Sequence, residues 1–209
     1  LLQDLNFLKD LRKWCTEFSI LLIFDEVISG FRVAFGGAAE HYNIFPDIVT
    51  YGKIIGGGLP VGAYASSNEI MSSVSPEGPV YQAGTLSGNP VAMSAGIAQL
   101  KQCASKDFYS NQQERTNHFV DSINNFCSYK NFPIEIVSVG SIFWFSFAGN
   151  KKIQSADQID SDMNVFNRLH KLLLNNGVYM GPSGYEVGFI SNAHTNEVLD
   201  KAIELFCKA

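Results

Sequence analysis

The sequence predicts an α/β domain over residues 1–104, followed by a smaller α+β domain over residues 105–209. Three observations predict it. A short apolar run without alternation, residues 21–24, ends in Asp25-Glu26, the pattern of a strand covered on both faces of a parallel sheet. Helical and strand-like stretches then alternate up to about residue 104. Beyond that point two strand-like stretches, divided by Gly140-Ser141, stand among helical ones, the pattern of an antiparallel pair packed beside helices.

The elements follow in order. Leu5, Leu8, Leu11, Trp14 and Cys15 recur at helical spacing, which makes residues 2–18 an amphipathic helix. Residues 21–24, 47–51 and 61–66 read as strands. Lys53 and Gly56-Gly57-Gly58 lie between the last two. The glycine triplet lacks a following Lys-Ser/Thr, so it reads as a flexible bend and not as a phosphate cradle. Residues 89–101 read as a helix rich in small side chains, with Pro90 in its first turn. Residues 107–128 form a polar amphipathic helix. Residues 134–139 and 142–147 form the antiparallel pair, and its Phe143, Trp144, Phe145 and Phe147 belong to a core or an interface. Residues 160–175 are helical in pattern and stop at Asn176-Gly177. Residues 178–180 and 187–191 are short strands. Thr195 caps a last helix running to 206.

Composition narrows the function classes. The chain has 209 residues, 46% hydrophobic and 17% charged. A soluble domain usually carries about 25% charged residues, so part of this surface is expected to meet another chain or another part of the same protein. The net charge is −5 without a basic block, which argues against a nucleic-acid partner. No apolar run approaches the ~20 residues that a membrane span requires. The four cysteines lie far apart with no C-x-x-C, and the four histidines are scattered, so no metal is assigned and the thiols are expected to be free. Asp4, Lys9 and Asp10 interrupt any signal-like apolar region, and a cytoplasmic location is expected. The chain opens without Met and within a helical pattern, so the first residues are expected to continue from an upstream segment.

Chemistry gathers at two residues. Ligands of open α/β sheets bind beyond the carboxyl ends of the strands. Asp25 stands at one such end, and Lys53 follows another strand by two residues. A buried carboxylate and a lysine can simply pair. A lysine can also form a Schiff base with a carbonyl. Pyridoxal phosphate chemistry needs such a lysine, together with a carboxylate that keeps the ring nitrogen protonated. Val27 is placed either in ordinary core packing or against one face of a flat ring. Arg32 suits either a carboxylate ligand or a structural ion pair.

The stretches 25–32 (DEVISGFR), 46–48 (PDI) and 52–60 (GKIIGGGLP) resemble the class III aminotransferases, pyridoxal phosphate enzymes of fold type I. Residues 80–90 (VYQAGTLSGNP), 181–191 (GPSGYEVGFIS) and 193–195 (AHT) are similar to the aminomutase branch of that family. The resemblance runs the length of the chain and implies the second half of a large cofactor domain followed by the small C-terminal domain. It implies pyridoxal 5'-phosphate and pyridoxamine 5'-phosphate as cofactor forms. Lys53 would carry the Schiff base and shuttle protons, Asp25 would pair with the ring nitrogen, and Val27 would lie against the ring. Thr85 would bind the cofactor phosphate of a neighbouring subunit, making the site shared in a homodimer. Tyr81 and Glu186 would face a small-molecule substrate. The implied reaction is the internal amino transfer that turns glutamate 1-semialdehyde into 5-aminolevulinate, a tetrapyrrole precursor. The family's N-terminal half would be a required partner, without which the fragment is expected to be inactive. The competing expectations are a class III ω-aminotransferase and a non-catalytic remnant serving dimerisation or folding.

Overall fold

A computed structural model describes residues 1–148, 153–159 and 163–209. The chain divides into two compact units, Asp4–Tyr109 and Ser110–Ala209, the latter also including Leu1–Gln3.

In the first unit, α1 (Leu5–Glu17) begins where Asp4 accepts hydrogen bonds from the Asn6 and Phe7 N–H groups, which satisfies otherwise unpaired donors of the first turn. Of its apolar stripe only Leu8 and Cys15 are buried, and Trp14 is half-exposed. Strand β1 (Ile23–Asp25) pairs in parallel with β2 (Ile48–Tyr51), which pairs antiparallel with β3 (Ala63–Ser66). Asp47 fastens these elements at their start. Its carboxylate accepts from the Leu22 N–H and from the Arg12 guanidinium, each at 2.7 Å. Those two donors, the Leu22 amide first, hold the Asp47 carboxyl below the usual carboxylate range.

The run at 21–24 is not covered on both faces as expected. Ile20, Leu21 and Ile23 are each more than half exposed: β1 is only three residues long, stands at the edge of a three-stranded sheet, and is preceded by Ile20 and Leu21 outside the ladder. Between β1 and β2 the chain winds through a loop and the short helix α2 (Gly37–Tyr42), which the sequence pattern did not reveal. After β2, Lys53–Gly56 form a 3₁₀ turn closed by Gly57 at φ +55°. The expected flexible bend is thus a packed turn. Helix α3 (Asn68–Met71) follows β3, and α4 (Pro90–Cys103) starts at Asn89, whose side chain accepts from the Val91 and Ala92 N–H groups. Gly96 on α4 faces the Ile55 carbonyl oxygen, and Gly57 faces the Ala95 carbonyl, so helix and turn meet backbone to backbone.

Helix α5 (Phe108–Lys130) leads into the second unit. There β4 (Glu135–Val139) and β5 (Ile142–Ser146) form the expected antiparallel pair, and β6 (Gly188–Phe189) joins β5. Side chains alternate along β5. Phe143 and Phe145 enter a core with Phe119, Ile123, Leu173, Leu199 and Phe206, whereas the Trp144 indole N–H donates to the Gly184 carbonyl at 2.8 Å. Helix α6 (Asn164–Asn175) ends at Asn176, and residues 160–162 of the expected helix lie outside the described residues. Residues 178–180 are not a strand. The Val178 N–H turns back to the Leu173 carbonyl at 2.9 Å and completes the helix exit instead of entering a ladder. Helix α7 (Asn196–Lys208) is capped by the Thr195 hydroxyl.

Candidate active site

Strand pairing brings the two chemical residues to one edge. Asp25 ends β1 and lies opposite Thr50 in the parallel ladder, and Lys53 comes two residues after β2 ends. Both therefore sit beyond the carboxyl ends of adjacent parallel strands, where an open sheet receives ligands.

Both side chains are exposed, so the buried ion pair allowed by the sequence is not formed. Among the described residues, neither Asp25 nor Lys53 takes part in a salt bridge. One carboxylate oxygen of Asp25, Oδ1, accepts from the Val27 N–H at 3.1 Å and from the Thr50 hydroxyl at 3.2 Å. Two neutral donors orient the carboxylate without neutralising it, and Oδ2 accepts no hydrogen bond from the described residues. Val27 is half-buried, and a Cβ on Gly52 would lie 3.2 Å from its Cγ1. The Val27 side chain thus rests on the backbone next to Lys53. Lys53 itself has φ +47°, a left-handed conformation that costs an L-residue about 1–2 kcal/mol. The turn packed on α4 holds it there.

The other expected residues lie on other elements. Tyr81 and Thr85 occupy the loop before α4, both exposed, with Tyr81 at 82%. No hydrogen bond among the described residues joins either to Asp25 or Lys53. Glu186 belongs to the second unit, where it is exposed and its side chain folds against Gly181. Arg32 lies beside Cys103 and Tyr109, and burial lowers its guanidinium from the usual value.

The sequence reading missed Glu26. It is 1% exposed, and its carboxylate accepts from the Ser29 hydroxyl and from the Ala38 and Ala39 N–H groups. The available signal was the Gly-Gly-Ala-Ala run at 36–39, a helix start with open donors and no side-chain cap of its own.

A family profile described as aminotransferase class III matches residues 2–209. The chain belongs to the class III aminotransferases. Among this family's curated members, it is 48% identical over 198 residues to a glutamate-1-semialdehyde 2,1-aminomutase of Geotalea daltonii, covering 95% of this chain and 46% of that protein. A β-phenylalanine aminotransferase from Variovorax paradoxus superposes with a TM-score of 0.90 at 27% identity, over 98% of this chain and 47% of its own. A transaminase solved with PLP bound superposes with a TM-score of 0.84 at 28% identity, over 97% of this chain and 46% of its own. The chain spans about half the length of the curated relatives it matches. These class III structures agree with the α/β expectation for a fold type I fragment. No helix among the described residues is long and apolar enough to cross a membrane.

Proposed function

We propose that this chain is the lysine-bearing part of a pyridoxal 5'-phosphate-dependent aminomutase that converts glutamate 1-semialdehyde to 5-aminolevulinate. The observation that carries this reading is the pair at the strand ends: a Lys53 amine without a salt bridge among the described residues, and an Asp25 carboxylate with Oδ1 fixed by two donors and Oδ2 accepting none from those residues. These residues fit the cofactor. Lys53 can attach to an aldehyde, Asp25 Oδ2 can accept a ring N–H, and Val27 offers an apolar face between them. The cofactor, when bound, supplies an electron-withdrawing ring that acidifies the carbon next to the transferred nitrogen. The Lys53 amine takes up and returns that proton as the amino group moves between the two carbons. Asp25 keeps the ring nitrogen protonated by Coulombic attraction. Of the remaining expected residues, Thr85 binds the cofactor phosphate of a second copy in a homodimer, and Tyr81 and Glu186 face the substrate. The upstream half of the protein completes the site, and the cytoplasm is its place of work in tetrapyrrole synthesis.

The degree of identity with curated aminomutases supports this reaction over an ω-aminotransferase. The complete protein is assayed for 5-aminolevulinate from glutamate 1-semialdehyde with no added amino donor. Product formation, abolished in Lys53→Ala, supports the proposal. In Asp25→Asn the cofactor should still bind through Lys53, though less tightly, while turnover collapses. A strict need for an external donor would point to the ω-aminotransferase, and a complete protein that never binds cofactor would point to the non-catalytic remnant.

A further inference from the structure

We infer that Glu26 is a positioning residue that fixes the place of the Asp25 carboxylate, an inference that rests on the proposed role of Asp25. A carboxylate that is 1% exposed must be fully hydrogen-bonded to be tolerated. Glu26 is: Ser29 and the Ala38 N–H at 2.9 Å donate to Oε2, and the Ala39 N–H donates to Oε1 at 2.9 Å. Position 37 must be glycine for this fit. Its φ is +67°, and a Cβ there would stand 2.7 Å from the Glu26 carboxyl carbon.

The same residue is clamped through its main chain. Its N–H donates to the Thr50 carbonyl at 2.9 Å, and its own carbonyl accepts from the Gly30 N–H at 2.9 Å. Gly30 in turn is pressed against Tyr51, the last residue of the strand that leads to Lys53. Thr50 thus grips two consecutive residues, Glu26 by its carbonyl and Asp25 by its hydroxyl. A shift of Glu26 rotates the peptide between them and moves the Asp25 oxygens relative to the ring. Stability alone does not call for a buried charge, since an apolar side chain of similar volume often serves as well. Fixed geometry at the neighbouring residue is what the charged anchor adds.

The test uses the complete cofactor-loaded enzyme and the variants Glu26→Gln, Ser29→Ala, Asp25→Asn and the Asp25→Asn/Glu26→Gln double variant. The readouts are the dissociation constant for pyridoxal 5'-phosphate and the pH midpoint of the bound cofactor's visible absorption, with thermal melting as the control for folding. Glu26→Gln should weaken cofactor binding about tenfold, the scale expected when a reacting group is misplaced by a fraction of an ångström. It should move the pH midpoint in the same direction as Asp25→Asn. Ser29→Ala should do both to a smaller extent. In the Asp25→Asn background Glu26→Gln should add no more than about twofold, because its effect passes through Asp25. A folded Glu26→Gln enzyme with wild-type affinity and midpoint, or an additive double variant, overturns the inference. If Glu26→Gln does not fold, a folded Ser29→Ala enzyme with both readouts unchanged overturns it equally. A silent Asp25→Asn instead overturns the proposed role of Asp25 itself.

Discussion

Gly96→Ala sets a known gain against a computable clash. In an exposed helix interior, glycine to alanine stabilises by about 1 kcal/mol. At position 96 the new methyl would overlap the Ile55 carbonyl oxygen, well inside the distance at which ordinary contact begins. The obstacle is backbone, so no side-chain rotation relieves it. Overpacking of this kind costs about 1–3 kcal/mol, which cancels or exceeds the helix gain. Any relief must come from the Lys53–Gly56 turn, whose lysine is held in a left-handed conformation worth about 1–2 kcal/mol of strain. Once the turn moves away from α4, that strain favours release of Lys53. We therefore expect Gly96→Ala to lower or leave unchanged the thermal midpoint while sharply reducing borohydride-trapped pyridoxal phosphate at Lys53. Gly62→Ala is the control: it lies in open space without a positive φ, and should be neutral or slightly stabilising, with full trapping. A Gly96→Ala protein about 1 kcal/mol more stable than wild type, trapping normally, would refute the close-contact reasoning.

Two further outcomes are expected. Asp47→Asn loses the ion pair with Arg12 and weakens the bond to the Leu22 amide, costing about 1 kcal/mol at this partly exposed position. Because the folded-state pKa of Asp47 is depressed, the stability difference from wild type should be full above the ordinary carboxylate range and vanish as pH falls through the folded-state value; a pH-independent difference in melting refutes it. Trp144→Phe removes the N–H that holds the Gly184 carbonyl and should lower stability by about 1 kcal/mol, measured by denaturant unfolding, with an unchanged midpoint counting against that role.

The placement of the candidate residues Asp25 and Lys53 was legible because both sit at strand ends. An apolar run closing on Asp25, and a second strand closing two residues before Lys53, put both groups on one edge of the sheet by topology alone. Glu26 was overlooked, since two of its three partners are main-chain N–H groups that have no letter of their own, and only the Gly-Gly-Ala-Ala run at 36–39 hinted at them. The exposure of Ile20, Leu21 and Ile23 was misread for a related reason. Hydrophobicity states that a face is to be covered, not by which segment. Residues 178–180 failed differently, because a strand needs an edge to pair with, and here the helix exit claims the Val178 N–H first. Helix α2, at six residues, is too short to show a period.

The contacts around Asp25 also bear on the order of folding. Glu26 closes onto Ala39 across 13 positions, and Thr50 closes onto Asp25 across 25. Loop closure costs rise only with the logarithm of such lengths, so these are inexpensive contacts to make. A ribosome adding about 5–20 residues per second delivers the whole stretch within seconds. The carboxylate and the turn that presents the lysine can therefore find each other while most of the chain that follows is still being synthesised. This local cluster is a natural early nucleus on which the later pieces of the chain settle.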